Sequence, residues 1–455
     1  MKKALLTRIW VPVLACPFLF FASCKQESKT ADTTRHFAVD PAFKDNVPFR
    51  DFTVNSDDED TLQLEDGTSI YIPKGIFVDA NGNKVTGDVQ LHYRSFYTAG
   101  QIMASGITMF YDTAGAKTVF TSAGMFELTG TQNGQTVSIA PGKNIAMDFA
   151  SSKNDQPYNF YALDTANAQW SFLSATTAEP NAIRERLEAA LASVFSRPVE
   201  PQKFDPKKPV IDLDVNIDDH PELKGYAGLM WQYAGTGTDP EQNTWIYDED
   251  WQNAKLTMLD TNTCMYDLKL SDNTRSFSTH VVPAIRGANY DVAIKKYKSD
   301  LLTFEAGERD RQANRKEVAL TQQFQRRILV PRFGISNCDR PGLSILRKWL
   351  HSRFHFTAKN FEDHKESVAV FVATSDGAIV SEYNGAEAPD VFYIDGSKTC
   401  VVAVLRGTNE VEVMDSNAFA SAAKTDPNAT VDLNMISTST PVSNSDDLDA
   451  LLRKL

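Results

Sequence analysis

From residue 46 onward, apolar and polar side chains alternate with a period of two, the signature of strands, whose successive side chains point to opposite faces. Between 46 and 178 the pattern recurs at short intervals. It runs through Ser69-Ile70-Tyr71-Ile72-Pro73 and Val89-Gln90-Leu91-His92-Tyr93-Arg94, then over 107–111, 125–128, 137–139 and 145–149, and closes with 159–164 and 169–172. Asp79-Ala80-Asn81-Gly82-Asn83 is expected to turn, because Asn and Gly accept positive φ at little cost. Short, evenly spaced strands with such turns predict a β-sandwich. Over 180–197 the period becomes helical, with Ile183, Leu187, Leu191, Val194 and Phe195 on one face. Pro198, Pro201, Pro206 and Pro209 follow in a charged stretch, so 179–209 is expected to be a helix and a Pro-rich linker.

Alternation resumes over 210–298, with strands expected at 210–215, 226–233, 254–259, 265–270, 277–282 and 290–294. This predicts a second domain of immunoglobulin or fibronectin size, without the paired cysteines of true immunoglobulin domains. The mixed charges of 299–327 predict a helical connector with Ser299 as its N-cap, although Gly307 argues against one unbroken helix. A third β block, 328–436, holds an apolar run at 367–373, a Ser375-Asp376-Gly377 turn, and strands at 378–383, 391–394 and 399–405. The tail 437–455 starts Ser/Thr-rich and ends in a short amphipathic helix. The expected fold class is mostly β: two or three tandem β-sandwich-like domains with short helical connectors.

The first residues follow a different pattern. Lys2, Lys3 and Arg8 precede an apolar run over 9–21, and Ala22-Ser23-Cys24 leads into polar Lys25-Gln26-Glu27. A positive start, a short apolar core and a small-residue cleavage site make up a secretory signal peptide. A transmembrane helix needs about 20 apolar residues, and Pro12 and Pro17 interrupt this shorter run. Ala22-Ser23-Cys24 resembles the lipobox of bacterial lipoproteins, with Phe21 where that motif prefers Leu. The resemblance implies cleavage of 1–23, acyl lipid on Cys24 and a polar tether over 24–45. A competing box at Val13-Leu14-Ala15-Cys16 would leave an apolar Pro17-Phe18-Leu19-Phe20-Phe21 on the mature chain.

Two further resemblances concern the folded part. Asp66-Gly67-Thr68 through Ile72-Pro73-Lys74-Gly75, followed by Gly87-Asp88-Val89-Gln90-Leu91, is similar to the opening of ZU5-like β-sandwich domains. The run of blocks, including Phe333-Gly334-Ile335-Ser336-Asn337-Cys338-Asp339, resembles uncharacterised bacterial lipoproteins. ZU5-like domains bind proteins, so the first resemblance implies a binding module.

A net charge of −13 argues against a nucleic-acid partner, which demands a basic surface. Beyond Cys16 and Cys24, the cysteines are Cys264, Cys338 and Cys400. They allow one disulfide with a free thiol, or three buried thiols, and their spacing matches no zinc site.

Candidate chemistry is sparse. His351 and His355 stand four apart, but Ser352 replaces the Glu of the metalloprotease motif, and the alternation through Phe354 suggests a strand. Asp212, Asp214, Asn216 and Asp218 alternate like a calcium loop, with Ile217 and Leu223 where Gly and Glu are required. Neither carries a metal assignment, and no catalytic residue or cofactor is assigned. Trp245, Tyr247 and Trp251, with Asp and Glu between them, are the candidate ligand-binding residues, since aromatic faces beside carboxylates suit sugars. The sequence thus predicts a lipid-anchored protein of the cell envelope, at the outer membrane, acting as a non-catalytic binding or scaffold module. Its expected contacts are the membrane, through lipid on Cys24, and an envelope protein or glycan. The alternatives are a carbohydrate-binding surface lipoprotein and, more remotely, a hydrolase.

Acyl anchoring contributes about 0.8 kcal/mol per buried methylene, so Cys24→Ala is expected to abolish fatty-acid labelling and move the protein into soluble fractions. Label persisting on that variant would overturn the anchor assignment.

Overall fold

The structure, a computed structural model, describes residues 47–455 apart from 114–115, 155–157, 193–196, 214–216, 225, 342–346, 375–378, 425–428 and 439–440. The signal segment, Cys24, the tether, Asp214, Asn216 and the Ser375-Asp376-Gly377 turn lie outside the described residues. The chain is mostly β, in sandwich-like layers. The layers are more interleaved along the chain than the expected block boundaries.

The first sandwich pairs an eight-stranded with a five-stranded sheet. The eight-stranded sheet runs Arg50–Asn55, Asp88–Phe96, Ala116–Gln132, Gly334–Pro341, Tyr158–Asp164, Gln169–Thr176, with two short strands at its margin. The five-stranded sheet runs Ala178–Pro180, Phe324–Val330, Ile145–Ser151, Ser69–Ile72, Asp60–Gln63. Between them lies a core that includes Val89, Leu91, Phe126, Phe160 and Cys338 from one sheet and Ile70, Met147, Phe149 and Ile328 from the other.

The boundary expected at 328 is therefore corrected. Phe324–Val330 pairs with Ile145–Ser151, and Gly334–Pro341 fills the gap between Ala116–Gln132 and Tyr158–Asp164. Burial on both faces explains why: Ile335 through Asp339 are all buried, so both edges of that strand need partners.

The other face of the eight-stranded sheet is also buried. Met125, Tyr161 and Ile335, each one residue from a first-core side chain or of opposite parity to it, join Ala369, Phe371, Val402 and Val404 in a second core. Helices Ala99–Ser105 and Ser445–Leu452 contribute to it. The first is capped by Thr98 and Gln101 in a reciprocal capping box. The second is the expected C-terminal helix, burying Leu448, Leu451 and Leu452.

Strands Val368–Thr374 and Thr399–Leu405 are buried throughout, because their opposite faces serve two cores. Val370, Val372 and Val401 face a third core, shared with Leu350, Phe354 and Leu433 of the sheet Asp390–Ile394, Arg347–His355, Val431–Asn434. The first and third blocks are thus joined by a common core.

The second block is inserted within the first sandwich and has a core of its own, containing Leu223, Trp231, Tyr266, Leu268 and Val281. Its strands form one six-stranded sheet, in place of the two sheets of an immunoglobulin domain. The Pro-rich stretch is not a free linker. Val199 is buried, Gln202–Lys203 runs parallel beside Ala284 and Ile285, and Arg286 lies 3.7 Å from the Phe204 ring centre.

Helix Ala182–Ala192 leads out to this domain, and the 34-residue helix Gly287–Leu320 leads back. At 1.5 Å per residue the latter is about 50 Å long. Residues 290–294, expected as a strand, form its first turns. Their alternation belongs to a longer stripe of Tyr290, Ala293, Ile294, Tyr297, Leu301 and Phe304 at three- and four-residue spacing. Ser299 lies inside this helix, Arg286 is the N-cap, and Gly307 does not interrupt it.

Both helices end on the turn at Glu65-Asp66-Gly67. Asn181 Nδ2 donates to the Gly67 carbonyl at 3.1 Å, Thr321 Oγ1 to the Glu65 carbonyl at 3.3 Å, and the Gln322 amide to the Asp66 carbonyl at 2.8 Å. Arg184 ties the helices together by donating to the Val318 and Thr321 carbonyls. Gly67 sits at φ +89°, where a Cβ would lie 2.4 Å from Asn181 Nδ2 and 2.6 Å from Thr321 Cγ2. Gly67→Ala is therefore expected to cost at least about 2 kcal/mol in chemical denaturation, from backbone strain and displacement of both contacts. A loss below about 0.5 kcal/mol would show that the helix ends are not tightly packed on this turn.

Candidate functional site

The aromatic group of the inserted domain is built on a tight turn. Asn243 precedes the 3-10 segment Thr244–Tyr247, and Trp245 Nε1 donates to Asn243 Oδ1 at 3.3 Å. Ile246 points into the core at 3% exposure, which turns its neighbours outward. Trp251 returns over the turn and donates from Nε1 to the Ile246 carbonyl at 2.9 Å. The two indoles lie 5.9 Å apart at 56°, and Trp245 meets Phe277 edge-on at 6.2 Å. Both indoles are half-buried against the core, while Tyr247 is 49% exposed. Burial, then the charges of Glu241 and Asp239, push the Tyr247 hydroxyl pKa up, so it remains a neutral donor.

Charged groups rim the aromatics. Arg275 lies 5.7 Å from the Trp245 ring centre and forms an ion pair with Glu249. Asp248 and Asp250, the chain neighbours of Glu249, are exposed. The sequence therefore brought three residues to one place with two different roles. Trp245 and Trp251 hold the turn on the core with one edge open, and Tyr247 offers the accessible ring. A small apolar surface with hydrogen-bonding groups at its edge can stack on a sugar or a peptide side chain.

No protein-family model, curated protein or solved structure matches the chain.

His351 and His355 lie on one strand, Arg347–His355, and are committed to separate carboxylates. His351 Nδ1 is 3.0 Å from Asp390 and His355 Nε2 is 3.0 Å from Asp432. Strand spacing separates side chains that a helix would have brought together. Asp218 sits in the 3-10 turn Ile217–Asp219, its carboxylate 3.7 Å from Lys224. Among the described residues, no three His, Cys, Asp or Glu side chains are grouped to hold a metal ion. No helix among them is long and apolar enough to cross a membrane.

Cys264, Cys338 and Cys400 are buried free thiols. Burial pushes their pKa values up, to about 11, 12 and 11 respectively, so they remain protonated at neutral pH and are poor nucleophiles.

Three carboxyl side chains are buried among the described residues, Asp66, Asp339 and Glu412, and the first two lie in the first sandwich. Asp66 accepts from Thr68 N at 2.9 Å, Ser95 Oγ at 3.0 Å, Tyr97 Oη at 2.9 Å and Tyr93 Oη at 3.3 Å. Tyr93 and Ser95 share one strand face and Tyr97 follows one residue past the strand end, but their target lies far away in sequence. Asp339 is fully buried and accepts from Asn337 Nδ2 and the Arg340 amide, each at 2.7 Å. Burial drives its carboxyl well above the usual range. Both sit within cores and serve the fold.

Trp251→Ala is expected to lower the stability of the inserted domain by about 2–3 kcal/mol, somewhat less than a fully buried ring. Tyr247→Ala should stay within about 0.5 kcal/mol. Denaturant titrations of the two variants separate these roles; equal losses would make Tyr247 a core residue.

Proposed function

We propose that the chain is a lipid-anchored envelope protein, tethered through Cys24, that acts as a non-catalytic binding or scaffold module. The observation that supports this most is the inserted domain. It has its own core, shares no strand pairing with the rest of the chain among the described residues, and is carried by two helices whose roots meet on one turn. A self-contained unit held by helices suits presentation to a partner, while the layered body supplies a stable base. The resemblance of 66–91 to ZU5-like domains and the lipobox-like Ala22-Ser23-Cys24 favour the same reading.

A carbohydrate-binding role is the second reading, favoured by one observation: Tyr247 is exposed on the same turn as the half-buried Trp245, whose ring lies by the Arg275–Glu249 ion pair. On that reading Tyr247→Ala removes glycan-array binding without unfolding the domain.

The scaffold reading has a direct test. The Asn181 amide donates to the Gln323 carbonyl at 3.0 Å, so a short Gly/Ser loop can replace 182–320. The shortened protein is expected to fold and keep its lipid, but to lose the envelope partner captured by the intact chain in crosslinking pull-downs. Equal capture by both would place the binding surface elsewhere and remove the role of the insertion.

A further inference from the structure

Away from the inserted domain, a groove of about 720 Å³ opens in the third block. Such a volume falls in the range of ligand clefts, about 300–1,000 Å³. Its floor is apolar: Phe419 and Leu452 are buried, and Tyr393 stands edge-on to Phe419 at 5.5 Å. Its rim is cationic. Lys398 comes from the turn after Asp390–Ile394, Lys424 follows helix Ser416–Ala422, and Arg453 and Lys454 follow helix Ser445–Leu452. All four are exposed, and none forms an ion pair or side-chain hydrogen bond with a described residue. Among the described residues the one acidic side chain at the rim, Asp395, is 3.4 Å from Lys348, which does not line the groove.

Four exposed cations around one groove, on a chain of net charge −13, are a local reversal of sign, and like charges held together need an anionic partner or water to offset them. The donors exclude a compact anion as the best fit. The amides of Asn417 and Ala418, which would cradle a phosphate, already donate to Asp415 Oδ1 at 2.9 Å. The amide and hydroxyl of Ser416 are turned to the Leu455 carbonyl. What remains is side-chain charge from three elements around an apolar floor, which matches a linear ligand with acidic groups alternating with apolar ones.

We propose that this groove binds an acidic, apolar-containing peptide segment of a partner protein. It is a second binding surface, separate from the inserted domain. The test is fluorescence anisotropy with the full-length protein and a labelled hexapeptide alternating Glu with Phe and Leu. Saturable binding is expected, weakening as salt rises. It should fall at least about tenfold in Lys398→Glu/Arg453→Glu and in Ala423→Trp, which fills the groove, and stay unchanged in Lys255→Glu on the inserted domain. Melting curves matching the parent establish that the variants are folded; because all three charge positions are exposed, Lys398→Glu alone serves if a double variant melts early. Failure of the parent to bind, or equal binding by every variant, would overturn the proposal. So would retention of phosphatidylglycerol vesicles through Lys398 and Arg453 without peptide binding, or competition by inorganic phosphate at low millimolar concentration.

Discussion

A strand buried on both faces must be paired along both edges, and Gly334–Pro341 is paired by chain far from it in sequence. Ala116–Gln132 takes one edge and Tyr158–Asp164 the other. Without it the eight-stranded sheet would split through its middle, leaving main-chain groups inside two cores without partners. Asn337 and Asp339 reinforce the seam: Ser122 donates to Asn337, and Asn337 donates to Asp339 beside the irregular register at Cys338. The cores of the first sandwich and third block both touch this sheet, so the body depends on one late-arriving strand.

The excursion before that strand follows from the same constraint. The chain leaves the sandwich at Asn181 and re-enters at Gln322, beside the point of departure. A long detour costs little more in closure entropy than a short one, because that cost grows only logarithmically with length. A whole domain can therefore sit between the two strands, provided its exit and return are held together. The Glu65-Asp66-Gly67 turn does this for the backbone, and Asp66 buries its carboxylate among hydroxyl donors to hold the turn in place. The inserted domain and the basic groove both lie outside this junction.

Much of the local structure was legible. Alternation located Asp88–Phe96, Met265–Ser271 and Thr399–Leu405 closely, and the terminal amphipathic stretch is the helix Ser445–Leu452. Partnership between distant segments was not, because a period of two says which face is apolar but not which strand lies beside it. Residues 328–341 read as the start of a new block, since nothing in their pattern points back to Tyr158–Asp164. Residues 290–294 read as a strand because five alternating positions fit both periods until the longer stripe is considered. At the candidate site, composition found Trp245, Tyr247 and Trp251, but only geometry separates two anchoring indoles from an exposed tyrosine. The groove was invisible in sequence, since Lys398, Lys424 and Arg453 meet only after three elements fold together.

Native-state hydrogen exchange followed by mass spectrometry tests the central claim most directly. If Gly334–Pro341 is the shared middle strand, its amides are protected to the same degree as those of Ala116–Gln132 and Tyr158–Asp164. All three then lose protection at one denaturant concentration, while the inserted domain opens separately. Rapid exchange of Gly334–Pro341 while its two neighbours stay protected would contradict the account.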